Sequence, residues 1–144
     1  MTIKAVLTGD LMHSQAVTDT QAYVEGLKRV LSSLNTHYGL DTDTFRGDGF
    51  QVVPKDASQA FECALAIRAG LIAASPEGER WDARIAIGIG ASSAGRNYGE
   101  AFVLSGPGLD GMKKLSLAVF SQEASFIRCT ELVTEFVAAI LDKW

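Results

Sequence analysis

The chain has 144 residues, 47% of them hydrophobic and 21% charged, with a formal net charge of −4. That length suits one domain with a real core, spanning residues 1–144, and those proportions exclude a disordered chain. The acid excess excludes a surface that grips duplex nucleic acid as a whole, so no direct nucleic acid partner is expected of this segment, and no apolar run approaches the ~20 residues of a membrane span.

Ala5–Leu7 form an apolar run ending in Gly9 and Asp10, which reads as a buried strand delivering Asp10 at its C-terminal edge. Tyr23, Leu27, Val30, Leu31, Leu34 and Tyr38 then recur at helical spacing, with Thr18 or Thr20 as N-cap and Gly39 as the stop. Thr42–Phe45 and Phe50–Val53 flank Gly47-Asp48-Gly49 as an antiparallel hairpin closed by Pro54. Asp56 and Gln59 resemble a capping box opening a second helix, with Ala60, Ala64, Ile67 and Leu71 on one face.

Ser75–Arg80 read as a polar surface loop. Beyond it, Ile85, Ile87 and Ile89 alternate with Ala86, Gly88 and Gly90: a strand whose second face must accept something close. Residues 101–115 are of mixed character and partly helical, with Gly106, Gly108 and Gly111 weakening the helix. A short strand follows in SLAVFS. A final amphipathic helix begins near Gln122 and carries Phe126, Cys129, Val133, Phe136, Ile140 and Trp144 on its stripe, which serves either internal packing or a dimer contact. The order β-α-β-β-α-β with C-terminal additions predicts an α+β, ferredoxin-like antiparallel sheet covered on one face by helices. In that arrangement the first strand and the hairpin are sheet neighbours, which brings Asp10 within reach of Asp48.

Cys63 and Cys129 have neither CxxC nor Cys/His spacing and read as core thiols of a reducing compartment, hence a cytoplasmic protein. Two carboxylates converging at one sheet edge suit Mg²⁺ or Mn²⁺, hard cations that take oxygen ligands together with substrate phosphates. Asp48 also has a plain role as a turn residue, and Asp10 as a cap near Ser14. His13 is a ligand, a general base or a surface side chain, while His37 sits in a helix's last turn, where a dipole or surface role suits it. Arg46 contacts a phosphate or lies over the sheet. Lys113 and Lys114 form a solvated face or supply charge to a phosphate.

TGDLMHS after the first strand, FRGDGFQVV at the hairpin, the IAIGIG strand and YGEAFVLSGPGL together resemble the catalytic domain of class III nucleotidyl cyclases. The TGD-x-x-x-S opening with RGDGF and GEAF is most similar to the small SatD-like bacterial proteins, in which a helix-turn-helix segment usually follows. The resemblance spans nearly the whole chain and implies that it is the N-terminal part of a longer protein. It implies that Asp10 and Asp48 are metal-binding aspartates, and that backbone of Leu11 and Met12 faces metal and phosphate. It implies a nucleoside triphosphate or related nucleotide as partner, and a homodimer. The nucleotide-contacting set expected on this basis is Leu11, Met12, Arg46, Gly47, Gly49 and Ser105, with Lys113 as the catalytic cation. Gly99 falls where a glycine precedes the family's helix carrying an asparagine and an arginine, and neither residue occurs at matching spacing here. The expected function is a Mg²⁺-dependent, nucleoside triphosphate-binding cyclase-like domain, either a working or a degenerate nucleotidyl cyclase; the alternative is a non-catalytic sensor or dimerisation module of a bacterial regulatory protein.

Overall fold

In the computed structural model, which describes residues 2–14, 16–44, 48–92, 99–112, 115–122 and 124–144, a five-stranded sheet carries helices on both faces. The elements are β1 (Thr2–Leu11), α1 (Thr20–Tyr38), β2 (Leu40–Thr44), β3 (Gly49–Pro54), a 3₁₀ turn (Ala57–Gln59), α2 (Ala60–Ala73), β4 (Ala83–Ser92), α3 (Gly99–Gly111), β5 (Leu117–Phe120) and α4 (Ala124–Asp142). Strand order is β2-β3-β1-β4-β5. The first four strands pair antiparallel, as the ferredoxin-like pattern requires, and β5 adds in parallel to β4.

Alternation along β1 and β4 sorts the two faces. Ala5, Leu7 and Leu11 with Ile85 and Ile87 point to α1 and α2, meeting Tyr23, Leu27, Leu31, Ala64, Ile67 and Leu71 in the main core. Burying each of the larger side chains is worth about 1.5–3 kcal/mol. Residues of opposite parity face α3: Val6 packs with Ala101, and Ala86 with Leu109 and Met112. The helices therefore cover both faces rather than one. A Cβ on Gly88 would lie 2.2 Å from the Ala101 carbonyl oxygen, so that glycine lets α3 seat directly on β4.

Two local expectations need correcting. The N-cap of α1 is Asp19, whose carboxylate accepts from the Ala22 N–H, whereas Thr20 donates its hydroxyl to the Ser14 carbonyl. Asp56 caps the 3₁₀ turn through the Ser58 N–H and not α2 itself. The apolar stripe of α4 faces outward: Val133, Phe136, Ile140 and Trp144 are exposed, while Thr134, Ala138 and Leu141 are buried. The helix docks through Thr134, Ala138 and Leu141 and leaves Val133, Phe136, Ile140 and Trp144 in solvent. Gly39 closes α1 in the left-handed conformation (φ 67°), and α3 runs helically through Pro107 despite its glycines. Cys63 is a buried core thiol pushed up to about 11 by burial, while the side chains of Phe102, Phe126 and Cys129 lie outside the described residues.

Candidate functional site

Register places the acidic pair. Asp10 sits opposite Gly49 of β3 on one side and opposite Arg84 of β4 on the other, and the Leu11 N–H donates to the Asp48 carbonyl at 3.1 Å. The end of β1 and the end of the hairpin turn thus meet, as expected for Asp10 and Asp48. Each carboxylate has a resident partner. Arg84 forks Asp10, Nε to Oδ1 at 3.0 Å and Nη2 to Oδ2 at 2.8 Å, while its Nη1 donates to the Met112 carbonyl at 2.6 Å. Ser14 donates its hydroxyl to Asp48 Oδ2 at 2.7 Å. Hydrogen bonding to Asp10, against the opposing effect of burial, raises the Arg84 guanidinium above its ordinary range, with the charges of Asp10, Asp110 and Asp48 adding to it.

Behind the pair, a tyrosine sets the chain path. Tyr23 is fully buried, stacks on Trp81 at 5.1 Å between ring centroids, and places its hydroxyl 2.8 Å from the Met12 carbonyl and 2.7 Å from the Asp82 carbonyl. The same oxygen accepts from the Asp82 N–H at 3.0 Å. Met12 N–H closes the link by donating to the Asp82 carbonyl at 2.9 Å. Burial pushes the Tyr23 hydroxyl up to about 12, so it stays a neutral donor throughout the physiological range.

A second charge cluster lies beneath. Arg68 of α2, fully buried, forks both oxygens of Asp82 at 2.8 and 2.7 Å and also reaches Asp142 of α4 at 2.7 Å and Ser116 at 3.0 Å. Burial alone would lower its guanidinium, but hydrogen bonds to Asp82 and Asp142 outweigh that and raise it. Arg80 bonds Asp82 at 3.0 Å and the Leu141 carbonyl at 2.7 Å. Arg80, Asp82, Ser116 and Asp142, but not Arg68, join the Asp10 edge in lining an open cleft of about 630 Å³ that also includes Leu11, Met12, His13 and Arg84.

Among the expected contact residues, Gly49 lies directly opposite Asp10, and Leu11 and Met12 lie at the cleft with both amides committed to Asp48 and Asp82. Neither amide is left to donate to a phosphate. Ser105, on the sheet-facing side of α3, is buried and hydrogen-bonded to Thr8 at 2.7 Å, away from the cleft. His13 is exposed at the cleft rim in a left-handed conformation (φ 55°), and His37 is exposed with its ring edge-on to Tyr38. Arg46, Gly47, Lys113 and Lys114 lie outside the described residues. Arg84, Asp82 and Arg68 escaped the sequence reading. The signal was an arginine beginning an Ile/Ala strand that pairs with β1, and a lone arginine inside the apolar helix AFECALAIRAGLIA.

The donor set suits a cation only in part. Among the described residues no group of three or more His, Cys, Asp or Glu side chains could hold a metal ion, so a hard cation there would take Asp10, Asp48 and oxygens of its own ligand. Among those residues, too, no helix is long and apolar enough to cross a membrane.

No family model and no curated protein matches the sequence. Solved structures do. The chain is similar to a dimeric guanylyl cyclase domain of the RhoGC fusion protein from the aquatic fungus Blastocladiella emersonii, at 19% identity and TM-score 0.48, over 66% of this chain and 63% of that one. It is also similar to the guanylyl cyclase Cya2, at 20% identity and TM-score 0.45, over 71% of this chain and 66% of that one. It spans less than two thirds of either neighbour, at identities too low to speak for chemistry.

Proposed function

We propose that the cleft at the ends of β1 and β4 binds a nucleoside triphosphate or related nucleotide together with Mg²⁺ or Mn²⁺, in a cyclase-like domain of SatD-like type. The observation that supports this most is that the end of β1, which sets Asp10 beside Arg84 on an open cleft, meets the turn that carries Asp48. Asp10 and Asp48 would hold the cation, which neutralises phosphate charge when bound. Arg84 is a planar donor set at the same edge, suited to phosphate oxygens once it leaves Asp10. Tyr23 and Asp82 fix the Leu11–Met12 backbone, so the aspartate arrives in a set position. A homodimer is part of the proposal, supported by the exposed stripe of Val133, Phe136, Ile140 and Trp144 on α4, as is a cytoplasmic location.

One observation favours the second reading, a non-catalytic sensor of a regulatory protein. Asp10 already has a bidentate counter-ion, which any metal must displace. Isothermal titration of ATP and GTP with Mn²⁺ into wild type and Asp48→Asn, followed by chromatography of the recovered nucleotide, separates the readings. Metal-dependent binding lost in the variant supports the aspartate site, and a new product peak makes it an enzyme. Binding without product supports the sensor, and no binding by either protein refutes the nucleotide reading.

A further inference from the structure

We propose a second small-molecule site, distinct from the aspartate cleft, in the pocket between α3, β5 and α4, built for an apolar body carrying a protonated amine. The pocket holds about 340 Å³, at the small end of ligand pockets, and its walls include Leu104, Leu115, Leu117 and Phe120. Thr134 of α4 also lines it. That residue is 4% exposed, and its hydroxyl has no hydrogen-bond partner among the described residues. A threonine on a helix ordinarily bonds the carbonyl one turn back, and a hydroxyl left unpaired in a buried setting is costly, whereas valine has the same shape without that cost. The orphan hydroxyl is therefore a polar handle beside the leucine and phenylalanine walls of the pocket.

The charge at the mouth chooses the ligand's polar end. Glu131 and Glu135, one helical turn apart and both exposed, line the pocket, and among the described residues that line it there is no lysine or arginine. An anion would meet two carboxylates there, while an ammonium group would meet complementary charge at the rim with its ring against leucine and phenylalanine. Phe120 has a second neighbour: a Cβ on Gly108 would lie 2.7 Å from its ring, so an occupant would touch the side chain that helps seat α3.

The test uses a matched pair of probes sharing one ring system, tryptamine as the cation and indole-3-propionate as the anion, titrated into the ¹⁵N-labelled chain. Tryptamine should give saturable shifts confined to β5 and the 131–135 turn of α4, with the anion about tenfold weaker or worse. Glu131→Gln with Glu135→Gln should erase that preference. Thr134→Val should weaken tryptamine about threefold or more while raising the thermal midpoint, a combination that a merely structural hydroxyl does not produce. The proposal is overturned by shifts that do not saturate, by shifts centred on Asp10 and Asp48, by equal binding of the two probes, or by a Thr134→Val protein that binds as the parent does. Nucleotide titration of the same sample stands apart from every one of these outcomes.

Discussion

Replacing Arg68 with methionine leaves the volume of the side chain largely in place and removes its charge from a fully buried position. Arg68 donates to both Asp82 oxygens, to Asp142 and to Ser116, so the variant strands a carboxylate that is itself only 1% exposed. Breaking a buried pair from one side costs about 3–5 kcal/mol because the remaining charge is left without its partner. Asp82 retains the Ala83 N–H at 2.8 Å and Arg80 at 3.0 Å, which places the expected loss near the lower end, about 3 kcal/mol. For a chain of this size that corresponds to a fall of roughly 10 °C in the thermal midpoint. Urea unfolding followed by circular dichroism measures it directly. The double variant Arg68→Met with Asp82→Leu should recover part of the loss, since no buried charge is then stranded. A single variant that loses under about 1 kcal/mol, or a double variant as unstable as the sum of its singles, would refute the assignment of this cluster as a buried, mutually dependent ion pair.

Three further outcomes are expected. Arg84→Gln removes the counter-ion of a half-exposed Asp10 and should tighten binding of Mn²⁺ alone by about tenfold in a calorimetric titration, the solvent screening most of a larger Coulombic gain; unchanged affinity would mean the cation does not use Asp10. Gly88→Ala drives a methyl group into the Ala101 carbonyl and should cost about 2 kcal/mol or more in chemical denaturation, since its two closest neighbours, the Ala101 oxygen and the Ser105 nitrogen, are backbone. Tyr38 donates to Glu62 at 2.5 Å, and that hydrogen bond, with burial, pushes its phenol up to about 12, matching the value burial gives Tyr23. A folded value above the ordinary one of about 10 means that the stability these tyrosines contribute is fully present below that pH and is lost as pH rises through about 12. Ultraviolet titration should show two tyrosines ionising late, one fewer in Tyr38→Phe.

The elements that carry strong periodicity were legible. Alternation in β4, the 3.6-residue spacing of α1 and the Asp-Gly turn each report a local backbone preference coupled to one buried face, and together they were enough to bring Asp10 beside Asp48. What was hidden depends on which partner a side chain finds. The stripe of α4 is a sound helix signal but says only that the helix is amphipathic; Thr134, Ala138 and Leu141 dock because Arg68 and Arg80 seize the last turn through Asp142 and the Leu141 carbonyl. Arg84 is ordinary in isolation and acquires meaning only from the register that sets it opposite Asp10. The glycines of α3 read as helix breakers, yet Gly108 admits the Phe120 ring and the helix persists around it.

Asp82 belongs to two structures at once. Its main chain pins Met12 and Tyr23 at the cleft, and its side chain anchors the arginines that hold the end of α4. The last helix and the Asp10 edge are therefore expected to open as one cooperative unit. Under native conditions the Met12 amide should exchange with solvent deuterium on the schedule of α4 rather than on that of the strand it prolongs.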